Sequence, residues 1–159
     1  GDILYRWGNP SAYGAPGDQE FFGQHDAQWI PAGSPGAGNI LVFNNGQFRP
    51  EGNYSTVEEI VLEMNTDGSY SVTSGSAFGP ASQQWVYTSE NPTDFFARNI
   101  SGAQRLPNGN TLICEGPSGY IFEVNADGTI LWDYQNTDGV PVFRAIKYSA
   151  DYLGLSRLL

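Results

Sequence analysis

"SGAQRLPNGNTLICEGPSGYIFEVNADGTILWDYQ", residues 101–135, holds short apolar runs cut by Asn-Gly, Pro-Ser-Gly and Asn-Ala-Asp-Gly. No apolar period of 3.6 residues is sustained across it, so helix is excluded and short strands joined by turns remain. Asn, Asp and Gly tolerate the positive φ that tight hairpins demand, which makes NADG the turn between a third and a fourth strand. The stretch therefore reads as four antiparallel strands in about 36 residues, from Ile100 to Gln135.

Working outward, the unit repeats in order. "AQWIP" (27–31) matches "AQRLP" (103–107), and "GNILVFNNG" (38–46) matches "GNTLICEG" (109–116). "EEIVLEMNTDG" (58–68) matches "IFEVNADG" (121–128), and Trp85-Val86-Tyr87 matches Trp132-Asp133-Tyr134. At the flanks, "GDILYRWGN" (1–9) superposes on "GTILWDYQN" (128–136), and "VFRAIKY" (142–148) takes the place of "QHDAQWI". Four-stranded units with an aromatic late in the fourth strand are the pattern of β-propeller blades. The fold class is thus all-β, a partial propeller over 1–159. Residues 1–10 hold the last strand of a preceding blade, 25–88 a blade, 100–135 a second blade, and 142–148 a closing strand. Strands are expected near 2–7, 25–31, 39–44, 56–64, 83–88, 101–107, 110–115, 119–125, 129–134 and 142–148. Two blades do not close a ring, because propellers use four to eight, so the remaining blades or further copies are expected partners.

Composition narrows the function. A formal charge of −10 with only seven Lys and Arg repels a phosphate backbone, and no basic stripe offsets it, so nucleic acid is excluded as a partner. No apolar run approaches the roughly 18 residues of a membrane span. Cys114 is the sole cysteine and lies in the apolar run TLICEG, which reads as a small buried thiol; no thiolate metal centre follows from it. No metal or cofactor is expected. "NADGTILWDY" does resemble the Trp-bearing repeat of quinoprotein dehydrogenase propellers, but hairpin and blade packing explain it, and the chain has neither a vicinal cysteine pair nor an acidic cluster suited to calcium. Asn53-Tyr54-Ser55 and Asn99-Ile100-Ser101 are glycosylation triplets.

The longer unit differs from the shorter one at its start. His25, the only histidine, and Asp26 stand where the second copy has Ser101 and Gly102. In an antiparallel meander the start of the first strand, the end of the second and the approach to the third share one edge. That edge collects His25, Asn44, Asn45, Arg49 and Tyr54. A neutral histidine near a guanidinium and carboxamides suits a nucleophile or a general base acting on an anion, but spacing alone favours a histidine that merely satisfies a buried hydrogen bond. By pleat alternation Asp26 faces away from His25.

"GQHDAQWIP", then "GNILVFNNG", then Arg49, then "NYSTVEEI" resembles the active-site blade of the bacterial arylsulfotransferase family, and "VFRAIKY" is similar to its ring-closing strand. The resemblance covers nearly the whole chain. It implies a six-bladed propeller, nucleotide-independent transfer of a sulfuryl group from an aryl sulfate to a phenolic acceptor, and a periplasmic or secreted location. It also implies that His25 is the nucleophile, passing through a sulfo-histidine; Asn44, Asn45, Arg49 and Tyr54, which share its edge, are then expected around the substrate, with Arg49 and Asn45 as donors to the non-bridging oxygens. The family's other catalytic histidines and arginine belong to earlier blades, so this chain is expected to be the C-terminal part of a longer enzyme. The alternative from a different class is a non-catalytic propeller that binds a glycan or a protein partner.

Overall fold

In the computed structural model the described residues are 1–155. They form two four-stranded antiparallel sheets, in spatial orders β1-β2-β3-β4 and β5-β6-β7-β8. The first holds β1 (His25–Trp29), β2 (Ile40–Asn44), β3 (Thr56–Ile60) and β4 (Trp85–Tyr87). The second holds β5 (Gly102–Arg105), β6 (Thr111–Glu115), β7 (Tyr120–Val124) and β8 (Ile130–Gln135). Each sheet is a meander with strands in chain order, the architecture of a propeller blade. None of the described helices is long and apolar enough to cross a membrane.

Register follows the repeat. Leu41 pairs with Glu59 and Glu59 with Trp85, while Leu112 pairs with Glu123 and Glu123 with Trp132. Both Asn-x-Asp-Gly sequences close as turns, with Gly68 N donating to Asn65 O and Gly128 N to Asn125 O. Each terminal glycine has a positive φ, 82° and 83°, where a Cβ would be strained. In the first blade, however, the turn does not lead directly into β4. Residues 69–84 intervene, β3 stops at Ile60 rather than reaching 64, and only a lone bridge, Met64 to Tyr70, flanks the turn.

Two expected strands are absent from the described residues: 2–7 and 142–148 make no ladder. A strand exists only through its neighbour's hydrogen bonds, and these segments find other partners. Tyr5 Oη and Trp7 Nε1 donate to the carbonyls of Gly79 and Pro80, which seats the first segment on the 69–84 excursion. Residues 142–148 run beside β5 and the β6–β7 turn instead. Ser101 N donates to Phe143 O, Val142 N donates to Gly116 O, and the Gln104 amide bonds both N and O of Lys147.

The blades stack face to face. One apolar cluster joins Leu41, Phe43, Val57 and Tyr87 of the first sheet to Ala103, Ile113, Phe122 and Val124 of the second, with Phe95 from the connecting loop at its centre. Phe95 packs edge-on against Phe43, Tyr87 and Phe122 at centroid distances of 5.5 to 5.8 Å, a geometry that aligns ring edge with ring face.

A polar staple also repeats between neighbours. Arg105 on β5 reaches back to Glu59 on β3 at 2.9 Å, and Asn39 donates to the same carboxylate. One step on, Lys147 reaches back to Glu123 and Asn110 donates to it. Cation, carboxylate and asparagine occupy equivalent positions in the repeat, so the contact between the blades recurs between the second blade and the 142–148 segment.

Candidate active site

β1 does not run straight. His25 pairs with Phe43 and Gln28 with Leu41, so three steps along β1 match two along β2. The extra residue makes a β-bulge. Asp26 carries it, with φ of 53°, a left-handed conformation uncommon for a residue with a Cβ. In β5 the corresponding interval is regular, Gly102 to Cys114 and Gln104 to Leu112. His25 is therefore the structural counterpart of Gly102, and Asp26 has none. The expected simple alternation, with Asp26 turned from His25 by the pleat, is replaced by the bulge.

Asp26 projects across to the second blade. A Cβ on Gly102 would overlap its Oδ2, so glycine at 102 is what the aspartate at 26 requires. The carboxylate also lies 3.4 Å from Arg144 Nη1 in the segment that follows β8. Burial raises the Asp26 pKa above 3.8, and the hydrogen bond and charge of Arg144 only partly offset it. Burial likewise pushes the nearby Cys114 thiol up to about 11, which leaves it an unreactive core group as its apolar run suggests.

The His25 ring is held at one nitrogen. Nδ1 lies 2.7 Å from Asn45 Oδ1 and 3.0 Å from Gly23 O. The Asn45 amide cannot be reversed, since its Nδ2 donates to Ala97 O at 2.7 Å and to Ile100 O at 3.0 Å. Both neighbours of Nδ1 are thus acceptors, so Nδ1 carries a proton, and in the neutral ring it is Nε2 that keeps the lone pair. Ser55 fixes the asparagine backbone in turn, with Oγ donating to Asn45 O and accepting from Ala97 N.

The other expected substrate-facing residues divide. Asn44 and Asn45 are 0% and 1% exposed, and both amide groups are consumed: Asn44 Nδ2 donates to Glu20 O and Glu58 Oε1, and its Oδ1 accepts from Phe22 N. Their side chains are engaged within the protein, Asn45 with His25 among its partners. Arg49 lies between the rings of Phe22 and Tyr54, 5.3 and 4.5 Å from their centroids. Its Nε and Nη2 donate to Tyr54 O and Thr56 Oγ1. With Tyr54, Glu20 and Glu51 it lines a cavity of about 490 Å³ that His25 does not line. Burial raises the Tyr54 pKa, and its hydroxyl donates to Glu51. The structure therefore joins His25 to Asn45 directly, and links Arg49 to Asn44 through Thr56 and Glu58. Gly46 lets the two clusters abut, since any Cβ there would strike the Tyr54 carbonyl.

Sequence reasoning missed Gly23 O, the bulge at Asp26 and its contact with Arg144. An ungapped match of HDAQ to SGAQ hid the inserted residue. The only trace was the glycine that makes room for it.

Stacked four-stranded blades with a hydrogen-bond-oriented imidazole at the edge of a first strand define a propeller protein with a candidate histidine centre. The family model described as Arylsulfotransferase (ASST) matches residues 15–152, and the chain belongs to that family. No curated protein and no solved structure gave a match.

Proposed function

We propose that His25 is the nucleophile of a nucleotide-independent sulfuryl transfer between phenols, and that this chain supplies it to a larger propeller. The observation that carries the reading is the protonation pattern imposed on the ring, with Nδ1 tied to two acceptors and Nε2 left as the basic atom. Nε2 attacks the sulfur of an aryl sulfate; the N–S bond forms as the S–O(aryl) bond breaks, and the phenolate leaves with the bonding pair. The ring then carries positive charge, which Asn45 Oδ1 and Gly23 O stabilise through the Nδ1 proton. A second phenol loses its proton, its oxygen attacks the same sulfur, and the N–S pair returns to Nε2. Sulfate passes between oxygens of similar basicity, so no nucleotide is required to drive it. The protons that leave the acceptor and reach the departing phenolate need an acid-base group, and we assign that role to the rest of the ring.

Support for a larger ring comes from β8. Trp132 and Tyr134 are 49% and 51% exposed, whereas their counterparts Trp85 and Tyr87 pack onto the second blade, Trp85 through a hydrogen bond to Ala126 O and a 4.8 Å approach by Arg105. The binding-module alternative would use the same aromatics, but blade stacking already accounts for them.

The test is turnover of a chromogenic aryl sulfate with a phenol acceptor and no nucleotide, by the intact protein and by His25→Asn. The carboxamide can keep a hydrogen bond but cannot accept sulfuryl, so the variant folds and loses transfer. Wild-type turnover by the variant removes His25 from the mechanism.

A further inference from the structure

We propose that Arg144 is an anion-binding group of the His25 site, anchored there by Asp26, and that it takes the sulfonyl oxygens of the aryl sulfate. The proposal rests on the sulfuryl-transfer reading above and adds a residue to it. It starts from a closed circuit of contacts. His25 Nδ1 donates to Asn45 Oδ1; Asn45 Nδ2 donates to Ile100 O; the next residue, Ser101, donates its N–H to Phe143 O; and the next residue after that, Arg144, meets Asp26, the neighbour of His25. Four chain segments distant in sequence are thereby tied together, and Arg144 meets the residue next to His25 in the chain.

The burial within the pair gives it a direction. The Asp26 side chain is 13% exposed and that of Arg144 57%. Asp26 is thus the anchor and Arg144 the working end. One guanidinium nitrogen, Nη1, meets the carboxylate, while a guanidinium offers five N–H donors in a planar fork suited to two oxygens of one anion. Structural cost has been accepted to place the anchor: a non-glycine residue at φ 53°, a bulge, and a glycine on the neighbouring strand. Such strain is kept where the surroundings over-determine it, and it clusters at functional sites.

Three other cations near the two blades are engaged elsewhere: Arg49 is 8% exposed and bonded through Nε and Nη2, Arg105 is buried on Glu59, and Lys147 is paired with Glu123. Arg98 is exposed in the loop between the blades, but among the described residues no carboxylate anchors it as Asp26 anchors Arg144. With the chain at −10, an anion approaching His25 needs a local cation, and Arg144, held by the neighbouring Asp26, is the one we assign. The sulfonyl oxygens carry charge in both the bound donor and the transition state. Loss of Arg144 therefore weakens binding more than it slows the bound complex, and KM moves more than kcat.

The experiment uses the intact protein and two probes: benzenesulfonate, whose carbon–sulfur bond blocks transfer, for calorimetric affinity, and 4-nitrophenyl sulfate for steady-state kinetics. Arg144→Ala should raise both the Kd for benzenesulfonate and the KM for the donor about 10- to 100-fold, the span of a charge-assisted hydrogen bond, with kcat much less affected. Arg144→Lys should recover part of the loss, Asp26→Asn should give an intermediate loss, and Arg6→Ala, at a remote surface, should change neither constant. If Arg144→Ala does not fold, the lysine and Asp26→Asn variants carry the same comparison. Unchanged Kd and KM in the Arg144 variants, or no benzenesulfonate binding by the wild type, overturns the proposal. Arginine-dependent binding without any sulfuryl transfer by the wild type upholds the anion site and overturns the transfer reading alone.

Discussion

Asn45 can present an acceptor to His25 only because the Ala97 and Ile100 carbonyls occupy its amide nitrogen. The tautomer is thus set two contacts away from the reacting atom. Asn45→Ala frees the ring to carry its proton on either nitrogen and leaves two carbonyls without that donor. We expect kcat to fall roughly 10²-fold with little change in KM, and stability to fall by about 1–3 kcal/mol. Stopped assays well below the unfolding midpoint separate the two effects; an unchanged kcat would show that the tautomer is fixed by something else. Asp26 sets the pH behaviour of the same spot. Its folded pKa lies above its unfolded value, so the native state holds the proton more tightly. That contribution is complete below the unfolded pKa and is lost as pH rises through the folded value. Asp26→Asn, which cannot ionise, should therefore lose the downward step in stability across that acidic window, seen in denaturant midpoints measured from pH 3 to 7. His25 and Asn45 were both legible in the sequence from shared edge position. Their roles were not, because spacing tells which residues meet at an edge and says nothing of which atoms bond.

Between elements, two features carry the contact from blade to blade. The first is steric: Gly102→Ala sets a methyl group against Asp26 Oδ2 and should cost about 1–3 kcal/mol. In the Asp26→Ala background, where only the Cβ remains close, the same change should cost clearly less, and a double-mutant cycle reads the difference. Equal costs in both backgrounds would mean that the Asp26 carboxylate does not touch residue 102. The second is the staple. Glu59→Gln strands a buried guanidinium and should cost about 3–5 kcal/mol, whereas Glu123→Gln, against a half-exposed lysine, should cost about 1 kcal/mol or less once solvent screening is allowed for. The hydrogen bond from Lys147 holds the Glu123 pKa low, so its contribution is present above the unfolded pKa and fades as pH falls through the folded one. Strand pattern revealed these elements well. The eight strands observed fall inside their expected ranges or within a residue of them, since apolar runs and turn residues determine them locally. Residues 2–7 and 142–148 have strand patterns too, yet form no ladder here, because a ladder is settled by the neighbour and their neighbours in this structure are loops and side chains.

For the molecule as a whole, the repeat converts into a stack of two blades. Leu41 and Glu59 are covered by the second blade; their equivalents Leu112 and Glu123 are buried beside the 142–148 segment, while Trp132 at the outer strand stays 49% exposed. In an intact ring Trp132 should be protected from quenching by acrylamide, and in the 159-residue chain alone it should be quenched freely; equal quenching in both would deny that a blade covers β8. The chain presents an imidazole held at Nδ1 and an arginine paired with the residue next to it; in the proposal above these are the nucleophile and the anion-binding group, with the proton chemistry assigned to further blades. The central claim is that His25 carries the sulfuryl group, and the most direct measurement is to mix the intact protein with an aryl sulfate in the absence of acceptor, quench under alkaline conditions that preserve N-sulfo groups, and map the added mass by peptide sequencing. The account predicts one SO3 on His25, absent in His25→Asn and discharged when a phenol is added before quenching. Sulfuryl transfer that proceeds with no mass on His25, or with the label on another residue, would contradict it.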